Sequence, residues 1–249
     1  MAHIFMADGR DLRLRLFPKP KAAPRRKKSP PTSLALFEAP ADDDALDSPA
    51  ERLAVKVAEL CLLNRYNAEI LNRMPQIGIR DWWLVSGCLF QSVWNLRSGR
   101  PADRGIVDYD ICYFSDDTSW DAEDLVIRDA ARLFADLPVK VQVRNQARVH
   151  LWYPEKFGVA YPPLTTAGEG ILRFPCLAQA VGMKRTGPEF FDVYAPFGLG
   201  DVWDMVARPN RALPLSQTYL SKTRRWQEEW DKITVYQWDE DTDAGRGKA

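Results

Sequence analysis

Two aspartates interrupt a run of strand-forming residues near the middle of the chain. The run is Val107-Asp108-Tyr109-Asp110-Ile111-Cys112-Tyr113-Phe114, and most of its other members favour β-structure. Side chains two apart on a strand lie on the same face, with Cα atoms roughly 7 Å apart. Asp108 and Asp110 are therefore predicted to project together from a buried strand. Such carboxylates repel unless a positive charge lies between them, and their oxygens suit Mg²⁺, although two aspartates also occur on the exposed face of an edge strand.

A second pattern lies about 20 residues upstream. The apolar run Trp82–Val85 ends in Ser86-Gly87 and is followed by the helix-like segment 88–96. This order predicts a strand, a small-residue turn and a helix. Backbone N–H groups at the start of such a helix bind phosphate.

The order of the predicted elements points to an α/β sheet with packed helices. Ser48-Pro49-Ala50-Glu51 predicts a helix start, and helical periodicity continues to about Arg73. A helix is predicted over Trp120–Asp136, with Leu125, Ile127, Ala130, Ala131 and Phe134 as its buried side. A strand is predicted over Val139–Arg144. The later predictions are helices at 175–183, 199–207 and 217–230 and a strand at 190–194, with Lys222, Arg224 and Arg225 on a solvated face.

Composition sets the class of protein and its compartment. Lys+Arg and Asp+Glu both number 34 in 249 residues, so net charge indicates neither nucleic acid nor membrane as a partner. The four cysteines lack metal-ligand spacing and are predicted to be buried thiols. No apolar run approaches the ~18 residues of a membrane span, so a cytoplasmic protein is expected.

The two ends of the chain are predicted to be disordered tails around one domain. Residues 1–47 contain a basic block, Lys19–Lys28, beside prolines and an acidic patch, a composition that rarely packs. Residues 239–249 are acidic and contain glycine. The predicted domain therefore spans 48–238.

Asp-Tyr-Asp and the upstream Ser-Gly turn resemble the DNA-polymerase-beta-like nucleotidyltransferase superfamily. More closely, the chain resembles a bacterial group of nucleotidyltransferase family proteins, formerly a domain of unknown function. The resemblance covers roughly residues 80–238. It is found in the segments Ser86-Gly87 with Trp94, Asp108–Phe114, Asn145–Tyr153, Ala195–Leu199 and Arg208–Asn210. It implies an α/β (α+β) fold with a nucleotidyltransferase-type mixed sheet, packed helices and a C-terminal helix and strand cap.

The resemblance also implies a reaction, the transfer of a nucleoside monophosphate from an NTP to an acceptor with release of pyrophosphate. Asp108 and Asp110 would hold Mg²⁺ or Mn²⁺, and two metal ions about 3.5–4 Å apart would stabilise the attacking and leaving oxygens. Ser86 and Gly87 would seat the β- and γ-phosphates at the helix start, since Gly87 has no Cβ to prevent close approach.

The sequence departs from the superfamily pattern at the third carboxylate, which usually comes from the next strand. The polar face of that strand shows Lys140, Gln142 and Arg144. An amide cannot act as a general base. The third ligand is therefore Asp103 or Glu155, or catalysis is weakened, or the protein only binds nucleotide.

Further nucleotide contacts are expected from Arg148 and His150, which would share a face if the strand continued. Arginine suits a triphosphate and histidine transfers protons. The alternative is that Asn145, Gln146 and His150 tie loop backbone together. Lys184 is expected either to face a phosphate or to reflect the charge bias of a helix end. The best candidates for base stacking are Trp152 and Tyr153.

Three classes of function remain open at the level of sequence. The first is a metal-dependent nucleotidyltransferase. The second is a non-catalytic nucleotide or RNA sensor on the same scaffold, which Gln142 and the basic tail favour. The third is a toxin–antitoxin partner. Nothing in the sequence selects the acceptor among tRNA, a protein hydroxyl, a sugar phosphate and an antibiotic.

Overall fold

The structure, a computed structural model, describes residues 2–5, 11–17 and 48–239. The strands are β1 (Ala2–Phe5), β2 (Asp11–Phe17), β3 (Trp82–Val85), β4 (Tyr109–Tyr113), β5 (Val141–Asn145), β6 (Gly182–Arg185), β7 (Phe190–Tyr194), β8 (Val206–Ala207) and β9 (Thr234–Val235). The helices are α1 (Pro49–Leu63), α2 (Arg65–Arg73), α3 (Gly87–Arg97), α4 (Trp120–Leu133), α5 (Val149–Phe157), α6 (Ala167–Ile171), α7 (Gly200–Trp203) and α8 (Ser216–Glu229).

A mixed seven-stranded sheet organises the chain, in the order β1-β2-β7-β6-β3-β4-β5. β3 is antiparallel to β4, and β4 is parallel to β5. The succession β3-α3-β4-α4-β5 is the predicted alternation, so the predicted α/β fold is confirmed. Among the described residues, no helix is long and apolar enough to cross a membrane.

The two faces of the sheet have different surroundings. Leu84, Ile111 and Val143 point into the main core, together with residues of α1 to α4. Trp83, Val85 and Cys112 point to the opposite face, where a smaller cluster includes two residues of α6. Alternation along each strand divides the side chains in this way. All four cysteines are buried and free, as predicted.

Asn64 divides the long helix that the sequence predicts over residues 48–73. The predicted capping box is present, with the Glu51 N–H donating to Ser48 Oγ at 3.3 Å. Asn64 instead adopts an extended backbone and caps α2. Its side-chain amide donates to Ser92 Oγ at 2.9 Å and to Tyr109 Oη at 3.1 Å. This buried hydrogen-bond network interrupts the helix at Asn64 and connects that position to α3 and β4.

The predicted C-terminal cap is anchored to α3 by aromatic side chains. Trp94 meets Trp226 and Trp230 edge to face, with ring centroids 5.6 and 5.4 Å apart. The Trp94 indole N–H also donates to Val202 O at 2.9 Å. Edge-to-face pairs fix orientation as well as burying area. They hold α8 in one position relative to the sheet.

The predicted N-terminal tail is wrong for residues 2–5 and 11–17, which form β1 and β2. β2 pairs in parallel with β7, and its Leu12 and Leu14 are only 4% and 1% exposed. Leucines alternate with charged residues in this stretch, which is the period of a half-buried strand. Residues 18–47 and 240–249 lie outside the described residues, so the rest of the tail prediction is not tested.

Two other local predictions are corrected. Residues 175–183 form no α-helix, because Gly182 begins β6 and passes so close to α6 that a Cβ there would lie 2.6 Å from Ile171 Cδ1. In α4, Leu125 is 58% exposed, whereas Glu123 is buried. Glu123 is buried because it forms an ion pair with Arg148, and this pair fixes which face of α4 points toward the protein interior.

Candidate nucleotide-binding site

A cleft of about 280 Å³ opens on the second face of the sheet. β3, β4 and β5 form its floor, α5 and α6 one wall, and α8 the other. It is lined by Ser86, Asp110, Ile111, Cys112, Arg144, Gln146, Val149, Trp152, Tyr153, Phe157, Tyr161, Gly170, Arg173, Phe174, Pro175, Gln179, Leu215, Thr218 and Lys222. Carboxylate, cationic and aromatic side chains therefore converge on one hollow.

Asp110 lines the cleft, and Asp108 lies next to it on the same face of the sheet without lining the cleft itself. Asp110 is on β4, where it pairs in register with Val85 on one side and Gln142 on the other. Asp108 directly precedes β4 and accepts a hydrogen bond of 2.7 Å from Gln142 Nε2. Because cross-strand partners share a face, this bond puts Asp108 on the same face as Asp110. The amide that replaces the expected third carboxylate thus contacts the pair itself.

The electrostatics of the cleft centre on Asp110. Burial, followed by the negative charge of Asp108, raises the pKa of Asp110 from 3.8 to about 6. Lys222 and Arg144 act in the opposite direction. A buried carboxylate whose negative charge is disfavoured, with a second carboxylate next to it, is suited to bind a cation.

Lys222 is the main functional candidate that the sequence does not reveal. It lies half-buried on α8 and lines the cleft, in contrast to the predicted solvated face. Burial lowers its pKa, while Asp110 and Asp108 act to raise it. Within the described residues, no carboxylate lies within ion-pair distance of it, so its charge is available to an anionic ligand. Arg224 and Arg225, on the same helix, are exposed as predicted.

The turn between β3 and α3 has strained backbone. Ser86 has φ 60° and ψ −119°, a conformation that costs a non-glycine residue about 1–3 kcal/mol. Its N–H donates to Val181 O at 3.0 Å, and its Oγ accepts from Gln179 Nε2 at 3.2 Å. The Ser86 side chain does not cap α3. The first N–H groups of α3, beginning at Gly87, therefore start beside the cleft without a side-chain acceptor from the N-cap.

Aromatic side chains form the far wall. Trp152 and Tyr153 line the cleft together with Phe157 and Tyr161, and the Tyr153 and Tyr161 ring centroids are 4.5 Å apart. These residues belong to α5 and the segment after it. Such a wall offers stacking surface to a base.

Arg148 and His150 do not share a strand face, because β5 ends at Asn145. The Asn145 side chain accepts from the N–H groups of Ser115 and Ala147 at 3.1 Å each, which turns the chain and bears out the predicted role of Asn145 in tying loop backbone. Arg148 pairs instead with buried Glu123 at 2.8 Å. His150 lies on α5, outside the cleft lining, with Nδ1 buried and lacking a partner among the described residues.

Lys184 lies on β6 outside the cleft, 4.4 Å above the Trp83 ring, and lines a separate depression. Neither Asp103 nor Glu155 lines the cleft. Across the described part of the chain, no group of three or more His, Cys, Asp or Glu side chains could hold a metal. Two aspartates nevertheless fit Mg²⁺, which is commonly held by one or two carboxylates together with substrate phosphates.

A mixed sheet with a small-residue turn, a helix and paired aspartates on the next strand is the architecture of nucleotidyltransferases. The chain is similar to a solved structure described as "The NMR structure of the protein reveals a CCA-adding enzyme head domain", with 24% identity and a TM-score of 0.57 over 72% of this chain and 95% of that one. This likeness shows the shared fold. A nucleotidyltransferase family matches residues 72–235, and the chain belongs to that family. The resemblance predicted from the sequence is confirmed. A search of the curated proteins found no match.

Proposed function

We propose that this protein is a metal-dependent nucleotidyltransferase that moves a nucleoside monophosphate from an NTP to an acceptor and releases pyrophosphate. Family membership supports nucleotidyl transfer in general. The observation behind the finer proposal is that Asp110 lines the cleft with Asp108 next to it, while a half-buried lysine lines the same cleft and a helix starts beside it.

Each group of residues has a proposed role. Asp108 and Asp110 hold Mg²⁺ or Mn²⁺, which when bound would neutralise phosphate charge and polarise the reacting phosphorus. The N–H groups that begin with Gly87 bind phosphate oxygens at the start of α3. Lys222 and Arg144 orient the remaining phosphate oxygens from the two sides of the cleft. The base packs against Trp152 and Tyr153.

The direct test is pyrophosphate release with each of the four NTPs and Mg²⁺ or Mn²⁺. Wild-type protein should release pyrophosphate, whereas the Asp108→Asn/Asp110→Asn variant should not. A thermal shift with NTP and metal measures binding in parallel, and the double variant should lose that shift while keeping its fold. Full nucleotide affinity in the double variant would contradict the proposal.

A second candidate, a nucleotide-binding protein without catalysis, is favoured by the contact between Gln142 and Asp108. It predicts NTP binding without pyrophosphate release. Gln142→Asp distinguishes the two functions, because it supplies the carboxylate that the superfamily pattern expects. Release that appears only in this variant would assign the natural protein to the second class.

A further inference from the structure

Ser86 lines the cleft with its backbone polar groups already paired inside the protein. Its N–H donates to Val181 O at 3.0 Å, and its carbonyl accepts from the N–H groups of Leu89 and Phe90 at 3.0 and 3.2 Å. The residue is only 3% exposed and lies beside Asp110 in the cleft lining. The side-chain hydroxyl is therefore the group of Ser86 that is left to contact a ligand.

A hydrogen bond from Gln179 decides how that hydroxyl can be used. Gln179 Nε2 donates to Ser86 Oγ at 3.2 Å, so a lone pair of the hydroxyl oxygen is occupied from within the protein. A hydroxyl also has one proton to donate. Within the described residues, no acceptor takes this proton from Ser86. It remains available to an anion in the cleft.

The backbone around Gln179 is fixed by hydrogen bonds. Gln179 ends a short 3₁₀ turn, Leu177–Gln179, and is 3% exposed. Its N–H donates to Cys176 O at 3.1 Å, and its carbonyl accepts from the Val181 N–H at 2.8 Å. Val181 is also the residue that accepts the Ser86 N–H. The two residues that share the side-chain bond are thus tied together through their backbones as well.

The segment Arg208–Asn210 holds this turn in place from a distant part of the chain. The Leu177 N–H donates to Arg208 O at 2.9 Å, and the Asn210 N–H donates to Pro175 O at 2.8 Å. This segment is one of those in which the sequence resembles the nucleotidyltransferase group. A functional side chain is positioned most accurately when its supporting backbone is fixed in this way.

The orientation of the Gln179 amide has a cost in free energy. Gln179 Oε1 is buried and has no hydrogen-bond partner among the described residues. An unpaired buried acceptor is destabilising. The opposite orientation would pair Oε1 with the Ser86 hydroxyl, but it would also take the hydroxyl proton away from the cleft. Unpaired buried groups are uncommon in native proteins, and a role at a functional site is one explanation for them.

We propose that Gln179 is a positioning residue that orients the Ser86 hydroxyl as a hydrogen-bond donor to the β- and γ-phosphates of the bound NTP. The identity of this anion rests on the proposed function. Phosphate oxygens accept hydrogen bonds, and bonds to a charged acceptor are about twice as strong as neutral ones. A donor that is already oriented before the ligand arrives contributes to affinity without further ordering.

The test is a double-variant cycle on the full-length protein. Isothermal titration calorimetry measures binding of Mg²⁺ and inorganic tripolyphosphate, which has the phosphate chain common to all four NTPs. Ser86→Ala should weaken binding about 10-fold or more, because it removes a bond to a charged group. Gln179→Met keeps the length of the side chain without its polar atoms and should weaken binding at least about 3-fold. The double variant should bind within about 2-fold of Ser86→Ala, since Gln179 acts through the hydroxyl.

Losses that multiply in the double variant would overturn the proposal, because Gln179 would then act independently of Ser86. Ser92→Ala is the matched control. Ser92 is a buried serine of α3 that also accepts an amide N–H, from Asn64 at 2.9 Å, but it lies outside the cleft lining. This control should lower stability and leave tripolyphosphate affinity unchanged.

Gln179→Glu tests the direction of the hydrogen bond and replaces Gln179→Met if that variant does not fold. An ionised glutamate can only accept, so it should take up the Ser86 proton and weaken binding more than Gln179→Met does. Wild-type affinity in Gln179→Glu would show that residue 179 accepts from Ser86, which overturns the proposal.

The pyrophosphate assay separates this inference from the proposed function. Pyrophosphate release by wild type, together with independent losses in the binding cycle, would refute the role of Gln179 alone. Coupled losses without pyrophosphate release would refute nucleotidyl transfer alone and leave the role of Gln179 in phosphate binding intact. Absence of tripolyphosphate binding by wild type would overturn the inference.

Discussion

At the scale of single residues, the carboxylate of Asp110 is proposed to bind metal, and its burial is expected to lower the free energy of unfolding of the metal-free protein. The fold places it beside Asp108 and largely away from water, so its charge is disfavoured when no cation is present. Natural proteins keep such groups where a ligand supplies the missing charge. Stability and binding should therefore respond oppositely to its removal.

Asp110→Asn should stabilise the metal-free protein at neutral pH. The folded-state pKa of about 6 exceeds the unfolded value of 3.8, so the folded state binds the proton more tightly and loses stability as pH rises between these values. The expected gain in the free energy of unfolding is about 1–3 kcal/mol above pH 6 and close to zero below pH 4. Urea denaturation from pH 4 to 7.5 in EDTA measures it. The exposed Asp116→Asn serves as control, and a pH-independent difference would refute the prediction.

Lys222→Ala should reduce kcat/KM for NTP by about 10- to 100-fold, because a charged hydrogen bond contributes about 1.5–3 kcal/mol. Lys222→Arg should restore part of that loss. Arg224→Ala removes an exposed cation from the same helix and should have little effect. Steady-state kinetics of pyrophosphate release compare the three variants. Equal losses of kcat/KM for Lys222→Ala and Arg224→Ala would indicate that Lys222 is only a solvent-exposed cation, as the sequence predicts.

At the scale of elements, one ion pair joins α4 to the turn that ends β5. Glu123 contacts Arg148 through one carboxylate oxygen at 2.8 Å and accepts the Asn145 N–H through the other at 2.9 Å. Both side chains are nearly buried, 8% and 11% exposed. The structure thus favours a role for Arg148 in positioning β5 and α5 over direct contact with phosphate.

Arg148→Met and Glu123→Gln should each lower the free energy of unfolding by about 3–5 kcal/mol, because each leaves a buried group without its partner. The double variant should lose less than the sum of the single losses. Denaturation curves give the coupling energy, and thermal shifts below the unfolding transition give NTP affinity. Lost affinity at unchanged stability in Arg148→Met would instead support the phosphate contact expected from the sequence.

At the scale of the whole molecule, the sheet depends on a strand from the N-terminal region. β2 covers β7 and places Leu12 and Leu14 in the main core. It also brings Phe17 to the depression that Lys184 lines. The unit that folds therefore differs from the predicted domain of residues 48–238.

A truncated protein of residues 48–249 should be less stable than the full chain by about 3–6 kcal/mol, since burial of each leucine contributes about 1.5–3 kcal/mol. It should also aggregate more readily, because β7 would become an open edge. Thermal unfolding and light scattering measure both effects. In the full chain, Leu12→Ala/Leu14→Ala should reproduce much of the instability and the exposed Arg13→Ala little of it. A truncated protein as stable as the full chain would restore the predicted domain boundary.

Prediction from the sequence succeeded where the pattern within a short stretch of residues is enough to define the local structure. The turn at Ser86-Gly87 and the aspartates at the start of β4, Asp108 just before it and Asp110 within it, lie in stretches whose periodicity is unambiguous, and the capping box at Ser48 is local. It failed at β6, where Gly182 matters because Ile171 of α6 lies against it. Likewise, a Cβ on Gly170 of α6 would overlap Gln146 Oε1, a contact that no local pattern reveals.

The sequence by itself determined the order of elements from β3 to β5 and put both aspartates on one face, because strand periodicity is a property of neighbouring residues. Only the tertiary structure decided which distant groups meet them. It brought Lys222 of α8 to the cleft, turned Arg148 toward Glu123 and left Lys184 above Trp83 in a second hollow. The local sequence pattern around a helical lysine is the same whether its side chain faces solvent or a carboxylate. The packing of Trp94 against Trp226 and Trp230, far along the chain, settles the orientation of α8.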